Sequence, residues 1–253
     1  ASTVTPVLFS GNAIYSGNVW NRTVWVYNGS PGVFNLYLNG SLTGSKEPFN
    51  LGSMTNIQPT LFLKGGVNNN RNSWIISGTI IDDIRWIIGS PWDLGDVKDD
   101  FNNGTGLLYR TSGGQYNSGV RSYFTFEGSP IKDDIWNIPG SIISGAGNST
   151  PFTDPSFVNG PYPNIMGSGL QTPGSPTYFI FNNVANTVEN RIYISGNGSF
   201  GPFTIAYWVF PPSGLSVGSN ITHIWFSGAN AQGIDITVSG TNATGLYPVL
   251  RPD

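Results

Sequence analysis

Acidic residues that stand in pairs are the first candidates for chemistry in this chain. Outside the acidic cluster of Ser90 to Asp100, such pairs occur at Asp82-Asp83 and Asp133-Asp134. Successive residues of a β-strand point to opposite faces of the sheet, so neither pair predicts a carboxylate dyad for general acid–base catalysis. Ca²⁺ binds several carboxylate and carbonyl oxygens. The four aspartates are therefore candidates for a calcium site, and the alternative is that they brace loops.

Other catalytic groups do not form a recognisable constellation in the sequence. Glu47, Glu127 and Glu189 stand singly, and the only histidine, His223, lies in the run Thr222 to Ser227, which predicts a strand with a half-buried histidine. The chain has no cysteine, which excludes thiol catalysis, disulfides and cysteine-ligated zinc. We therefore expect a protein that is not an enzyme and has no cofactor, with calcium as the one ion to test.

Asn-x-Ser/Thr sequons offer sites for covalent modification. They begin at Asn21, Asn28, Asn39, Asn103, Asn148, Asn197, Asn220 and Asn242. In an exported protein such residues are surface acceptors for N-glycans. Charged residues make up only 10% of the chain, against roughly 25% in soluble domains, so we expect sugars to contribute to solubility. The alternative is that sequons arise from the high Asn, Ser and Thr content alone.

The tryptophans divide into two groups by their predicted surroundings. Those within predicted strands are expected in the core: Trp25, Trp86, Trp208 and Trp225. Those within predicted loops are Trp74, Trp92 and Trp136. Large aromatic residues are enriched at interfaces, and aromatic platforms hold sugar rings in lectins. The loop tryptophans are therefore candidates for contact with a ligand or with a neighbouring molecule.

Charge and hydropathy limit the kinds of partner that the chain is expected to bind. The net charge is −3 and the isoelectric point is near 5.0, so the chain lacks the basic stripe that nucleic-acid binding needs. No apolar run approaches the roughly 20 residues of a membrane span. The start Ala1-Ser2-Thr3 is typical of what remains after cleavage of a signal peptide. We expect an extracellular or cell-surface protein.

Almost every element that must position these residues is predicted to be a strand. Runs rich in β-branched and aromatic residues, bounded by Gly, Asn or Pro, predict strands along most of the chain. Asn39-Gly40 predicts a type I′ hairpin, because both central residues of that turn need a positive φ. Ser90 to Asp100, the only acidic cluster, predicts a turn or a short helical turn. Gly128 to Pro176 predicts an irregular excursion packed over a sheet edge.

The stretch from Val19 to Ile88 resembles a known family. It contains VWNRTVWVYNGSPGVFNLYLNGSLTG, then PTLFLKG, then SGTIIDDIRWII. A hairpin, a short strand and a strand with this pattern are similar to the second half of a laminin-G-like jelly roll, of the concanavalin-like lectin superfamily. The resemblance implies that Asp83 is the recurrent aspartate of the family, whose usual role is to hydrogen-bond a loop.

The later part of the chain resembles the first half of the same fold. The matching segments are SYFTFEGSPIKDDIWN, GPFTIAYWVFPP and HIWFSGANAQGIDITVSG. The resemblance implies an all-β, concanavalin-like jelly-roll β-sandwich with its halves in permuted order. Residues 1–100 would supply the second half, 101–119 a connecting segment and 120–253 the first half, all within a single domain, 1–253.

Two physical accounts fit the permuted order. Either the sandwich is completed within one chain, which is tolerated because termini often lie close together, or the first half of one subunit completes the second half of its neighbour. The latter contact is heterologous and can grow a filament of copies of the same chain. We therefore expect a structural subunit of an extracellular filament or surface layer. The alternative is a carbohydrate-binding lectin or adhesin module, with glycans as partners.

Overall fold

The structure of the chain is a computed structural model, and the part of it described below has defined limits. The described residues are 7–8, 15–29, 32–49, 60–64, 78–89, 91–102, 120–128, 132–134, 138–139, 141–144, 150–151, 156–161, 167–171, 177–182, 202–213, 220–227, 233–242 and 245–252. The sequence pattern also predicts strands at Gly104 to Arg110 and at Arg191 to Ile194. Both runs fall outside the described residues.

Within these ranges the chain forms strands and one helix. The first elements are β1 (Val7–Leu8), β2 (Asn21–Tyr27), β3 (Gly32–Leu38), β4 (Ser41–Phe49), β5 (Thr60–Lys64), β6 (Ile80–Ile88) and α1 (Leu94–Phe101). Then come β7 (Val120–Phe124), β8 (Lys132–Asp133), β9 (Ile138–Pro139), β10 (Ser141–Ser144), β11 (Thr150–Pro151), β12 (Ser156–Asn159) and β13 (Ser168–Gln171). The last are β14 (Thr177–Asn182), β15 (Phe203–Phe210), β16 (Asn220–Ser227), β17 (Gly233–Asn242) and β18 (Gly245–Pro252).

The strands form two large antiparallel sheets. Sheet A has eight strands in the order β1-β18-β17-β16-β5-β14-β10-β11. Sheet B has the order β12-β13-β6-β15-β2-β3-β4, with β7 also paired to β6. Strands β8 and β9 form a separate pair. The described part is thus mostly antiparallel β-sheet with one short helix, which confirms the all-β expectation at this coarse level.

Sheet B contains the described core, and it is buried on both faces. One face is aromatic: Trp86 stacks on Phe203 at a centroid distance of 5.1 Å, and Tyr27 lies 5.4 Å from Phe203. Residues that alternate with these along the strands point to the other face, where Trp92 and Val97 cover them. The buried cluster there contains Val24, Val26, Tyr37, Ile87, Trp92, Val97 and Ala206. Burying each large apolar side chain stabilises the fold by about 1.5–3 kcal/mol.

The β3–β4 connection confirms the predicted hairpin. Leu38 pairs with Ser41, and the two turn residues, Asn39 and Gly40, have φ values of 50° and 76°, as a type I′ turn requires. A Cβ on Gly40 would lie 2.9 Å from Cδ1 of Phe101 in helix α1. Glycine is therefore needed at this position both for backbone conformation and for close packing of the helix.

The acidic cluster forms a full helix rather than a turn. Asp93 is the N-cap of α1: its Oδ1 accepts the Asp96 N–H at 2.9 Å, while Oδ2 of Asp96 accepts the Asp93 N–H at 3.0 Å. This reciprocal capping box satisfies two backbone donors that a helix start otherwise leaves unpaired. Asn102 ends the helix in the left-handed conformation, with φ of 45°. Local capping explains why so few residues suffice for a helix here.

The segment Gly128 to Pro176 is less irregular than the sequence predicts. It contains the six short strands β8 to β13. Strand β13 pairs with the edge of β6 through Leu170↔Ile81 and Gln171↔Ile80, and β10 pairs with β14 in sheet A. Strands β12 and β13 thus extend sheet B beside β6, and β10 and β11 belong to sheet A. Each of these strands has only two to four residues, which is too short to show a periodic pattern in the sequence.

The first and last strands of the chain are neighbours. In β1, Val7 and Leu8 pair with Leu250 and Val249 of β18, in antiparallel register. This pairing lies within one chain.

Candidate functional site

The residues at the start of β2 connect three distant segments of sheet B and its helix. Arg22 donates from Nε and Nη2 to the two carboxylate oxygens of Asp100, at 2.6 and 2.9 Å. Its Nη1 lies 2.8 Å from Oδ2 of Asp83. Strand β2, strand β6 and helix α1 are thereby joined through a single guanidinium group.

A second arginine repeats these contacts from β6. Arg85 lies 2.7 Å from Oδ2 of Asp83 through Nη2, and its Nη1 contacts Oδ1 of Asp100. The four side chains, which we call the buried quartet, are no more than 2% exposed. Two positive and two negative charges balance, so no net charge is left in the low-dielectric interior. The guanidinium carbon of Arg85 also lies 5.3 Å from the centre of the Tyr123 ring, a cation–π contact.

A β-bulge places the quartet. The register between β15 and β6 shifts between Ala206 and Trp208, which pair with Arg85 and Asp82 respectively. Asp83 has a φ of 52°. A bulge re-aims the side chains of its strand. Asp83 lies at this bulge, and its carboxylate faces Arg85 on the same strand and Arg22 on β2.

Asp82 occupies a different environment from its neighbour. Its side chain is 1% exposed, and Oδ1 accepts the Asp83 N–H at 2.7 Å. Oδ2 has no hydrogen-bond partner among the residues that the structure describes. Burial raises the pKa of the Asp82 carboxyl well above its usual range, and the charges of Asp83 and Glu127 raise it further. The surroundings of Asp82 thus favour its neutral form, whereas the Asp83 carboxylate contacts two arginines.

The structure lends no support to the calcium hypothesis at these aspartates. The Asp83 carboxylate faces two guanidinium groups. Oδ2 of Asp134 accepts from the N–H and the hydroxyl of Thr125, at 3.0 and 2.6 Å, which is the loop-bracing alternative. Asp133 lies in β8, and its side chain is outside the described residues. Among the residues described, no group of three or more His, Cys, Asp or Glu side chains is placed to hold a metal ion.

Two of the three sequon asparagines whose side chains the structure describes are exposed. Asn39 is exposed in the β3–β4 turn, where its Oδ1 accepts the Arg22 N–H at 2.8 Å. Asn28 is exposed after β2, and its Oδ1 accepts the Val33 N–H. In both cases the oxygen of the amide is held by the backbone. The nitrogen, which would carry the glycan, takes no part in these two hydrogen bonds.

Asn21 is a poor acceptor, contrary to the sequence prediction. Its side chain is 1% exposed, and Nδ2 donates to the carbonyl oxygens of Ser16 and Val19, at 3.1 and 2.8 Å. Both amide hydrogens are therefore used inside the fold. Asn220 and Asn242 lie in β16 and β17 with undescribed side chains, and Asn103, Asn148 and Asn197 lie outside the described residues.

The tryptophans agree only partly with their predicted roles. Trp25, Trp86 and Trp208 are core residues, at most 1% exposed, as predicted. Trp92 is also buried, at 4%, and its backbone N–H donates to Oγ1 of Thr204 at 2.9 Å, so the predicted contact with a ligand or neighbour is wrong for it. Its position just before α1 makes it a core residue. Trp74 and Trp136 lie outside the described residues, as do the side chains of Trp225 and His223 in β16.

Sequence reasoning missed the buried quartet. Its signal was the presence of Arg22 and Arg85 within runs that are otherwise suited to two-sided burial, NRTVWVY and IIDDIRWII. Buried arginine is rare unless it is paired, so each required an acidic partner. The acidic cluster of residues 93–100 was the available source of one, but no spacing rule identifies Asp100 within it.

No protein-family model matches the chain, and no curated protein is similar to it. Within the described ranges, no helix is both long and apolar enough to cross a membrane.

Proposed function

We propose that the protein is a structural subunit of an extracellular filament or surface layer. It is exported, N-glycosylated, and assembles with copies of itself through pairing of β-strands. The observation that carries the proposal is the edge of sheet A. Strand β18 has eight residues, and in the described part of the chain its outer edge pairs only with Val7 and Leu8. An edge strand with free backbone groups is a template for a strand of another molecule.

The fold that this function needs is a jelly-roll sandwich formed by sheets A and B. Two eight-stranded antiparallel sheets and a buried aromatic face on sheet B support this arrangement, because such a face needs a second layer. A rigid sheet B, held to helix α1 by the buried quartet, would transmit load along a polymer without opening. The permuted order places the first and last strands side by side at the assembly edge.

Exposure of Asn28 and Asn39 supports the proposed glycan coat. A chain with 10% charged residues has few ionised groups to keep it hydrated, and sugars on exposed loops would supply that hydration. The lectin alternative is less favoured, because one of its three candidate aromatic contacts, Trp92, is buried.

The proposal is tested on natively purified material. Negative-stain electron microscopy and light scattering over a dilution series should show polymer whose amount rises with concentration. Intact mass should exceed the 27.2 kDa of the sequence and return to it after enzymatic deglycosylation. A particle that stays monomeric at every concentration contradicts the filament. If such a monomer binds a glycan array, the lectin alternative replaces it.

A further inference from the structure

We propose that in the polymer β1 of one copy pairs with β18 of the next copy, in the same register in which the two strands pair within one chain. This rests on the proposed function and names its contact: Val7 opposite Leu250 and Leu8 opposite Val249. The occupant of the edge is thus a defined strand of a second copy. Complementarity is already demonstrated, because the same pair of strands fits within one molecule.

The inner edge of β18 is fully used. It pairs with β17 along its whole length, from Gly245↔Asn242 to Pro252↔Ile234. Strand β18 is therefore fixed to the body of sheet A whether or not β1 is in place. Loss of β1 to a neighbour leaves the acceptor strand intact.

Two prolines limit which strands can pair with the outer edge of β18. Pro248 and Pro252 stand two residues on either side of Leu250. Proline in a sheet turns its nitrogen toward the unpaired side, and alternate residues of an antiparallel strand direct their backbone groups to the same side. The outer edge therefore presents the N–H of Leu250 between two nitrogens that cannot donate. A short strand in one register fits this edge, and a long strand in any register does not.

The edges of sheet B are less suitable for assembly. Strand β4, at one end, contains Gly44, Lys46, Glu47 and Pro48, and its pairing with β3 shifts register at two points. Charges, proline and bulges on an edge strand oppose pairing with another chain. At the other end, β12 has only four residues.

The body of the molecule holds the chain firmly from Tyr15 onward. Tyr15 is 3% exposed, and its hydroxyl lies 2.9 Å from Oγ1 of Thr23. Between Leu8 and Tyr15 the chain has seven Cα steps, which reach roughly 25 Å when extended. That reach sets how far β1 of one copy can extend to a neighbour. Exchange of an identical element keeps every contact and so has a low energetic cost.

Exchange is favoured by concentration. A strand tethered by a short linker sees its own edge at an effective concentration in the millimolar range, so dilute protein pairs β1 internally. A head-to-tail exchange does not close on itself and grows a filament. The same two strands thus serve a closed monomer and an open polymer.

Cysteine cross-linking tests the inference, because the chain has no cysteine of its own. Residues directly opposite in an antiparallel pair have the Cα separation that a disulfide needs. Polymer grown from equal amounts of Val7→Cys and Leu250→Cys chains, then oxidised, should contain disulfide-linked pairs of one chain of each kind. The double variant should give a covalent ladder from polymer and internally linked monomer from dilute solution. Leu8→Cys with Val249→Cys is the second pair, in case the first disturbs folding.

Asn35→Cys and Ser45→Cys provide the matched control. These residues are partners in the β3–β4 hairpin, so they should link within the double variant and never between mixed single variants. Polymer in which the Val7→Cys/Leu250→Cys chain links only internally overturns the exchange and leaves the filament standing. Protein that forms no polymer overturns the proposed function itself.

Discussion

Each aspartate of the buried quartet contacts both arginines, so the four charges are satisfied only as a set. Taking ions out of water has a cost of several kcal/mol each, which their mutual attraction repays when the geometry is good. Such a group is a poor source of net stability, but it strongly disfavours any state in which one member is missing. Its structural role is to fix how β2, β6 and α1 meet.

We expect Asp100→Asn to lower the free energy of unfolding by about 3–5 kcal/mol, the usual effect of removing one partner from a buried ion pair. Arg22 and Arg85 would then share one carboxylate, Asp83, inside the protein. Urea denaturation of the two proteins measures the difference. Asp99→Asn is the matched control, since Asp99 is exposed on the same helix and should change stability by no more than about 0.5 kcal/mol. Equal effects of the two variants would mean that the loss of the buried carboxylate of Asp100 destabilises the protein no more than the loss of an exposed one.

The raised pKa of the Asp82 carboxyl predicts a specific pH dependence. A raised pKa in the folded state means that the contribution of Asp82 to stability is fully present below the unfolded-state pKa, near 3.9. It is lost as the pH rises toward the folded pKa, because only the unfolded chain then ionises freely. Asp82→Asn retains an oxygen for the Asp83 N–H and removes the titration.

We therefore expect Asp82→Asn to gain stability over the parent as the pH rises above about 4, and to show no such gain below it. Denaturation midpoints from pH 3 to 9 measure the difference. The other charges around this carboxyl are Asp83, Glu127 and Arg22, and they are unchanged in the variant. A difference between the two proteins that does not vary with pH would mean that Asp82 is ionised in the fold.

At the scale of single elements, sequence reasoning succeeds where the signal is local. Asn39-Gly40 determines its own turn, and the run Phe203 to Phe210, rich in β-branched and aromatic residues, forms β15 with those same ends. The helix was only half anticipated, because its capping box uses Asp at both positions and its apolar face consists of little more than Val97. The buried quartet was not predicted from the sequence. Its members Arg22 and Asp100 are 78 residues apart, and no spacing rule links residues so distant.

The hairpin turn gives an element-scale prediction. Gly40→Ala would place a Cβ 2.9 Å from the Phe101 ring in a backbone conformation with φ of 76°. We expect a loss of about 1–3 kcal/mol from backbone strain, with further loss from displacement of helix α1. The free energy of unfolding measures the total loss of stability. The ring of Phe101 lies 6.0 Å from that of Trp208, so a change in near-ultraviolet circular dichroism reports movement of Phe101 relative to Trp208.

The variant Gly29→Ala separates the effect of backbone strain from that of the contact with Phe101. Gly29 also has a positive φ, 111°, but a Cβ there meets nothing within 4 Å. It should therefore show the backbone effect without the change in aromatic packing. If the two variants behave alike, close approach of the helix to the turn contributes nothing to stability.

The whole molecule is organised by pairings that the order of the chain conceals. Strand β6 lies between β15 and the strands β7 and β13, so its neighbours come from three later segments. Sheet A begins with the first strand and continues with the last three in reverse order. Local runs of β-branched and aromatic residues determine which segments form strands. Which strands pair with each other depends on which apolar faces must be buried together. A single sequence therefore predicted all-β structure but not this arrangement.

At this scale the prolines of β18 predict the form of the proposed polymer. Pro248→Ala with Pro252→Ala would add two N–H donors to the outer edge of sheet A, so strands in several registers could pair there. We expect uniform filaments to give way to irregular sheet-like aggregates, since prolines on edge strands oppose unspecific pairing. Electron microscopy and a dye specific for cross-β structure distinguish the two products. Pro91→Ala, outside any strand, is the control and should leave the filaments unchanged. Filaments of unchanged width and order from the double variant would mean that the prolines do not select the register, and the selectivity would then lie in the side chains of β1 itself.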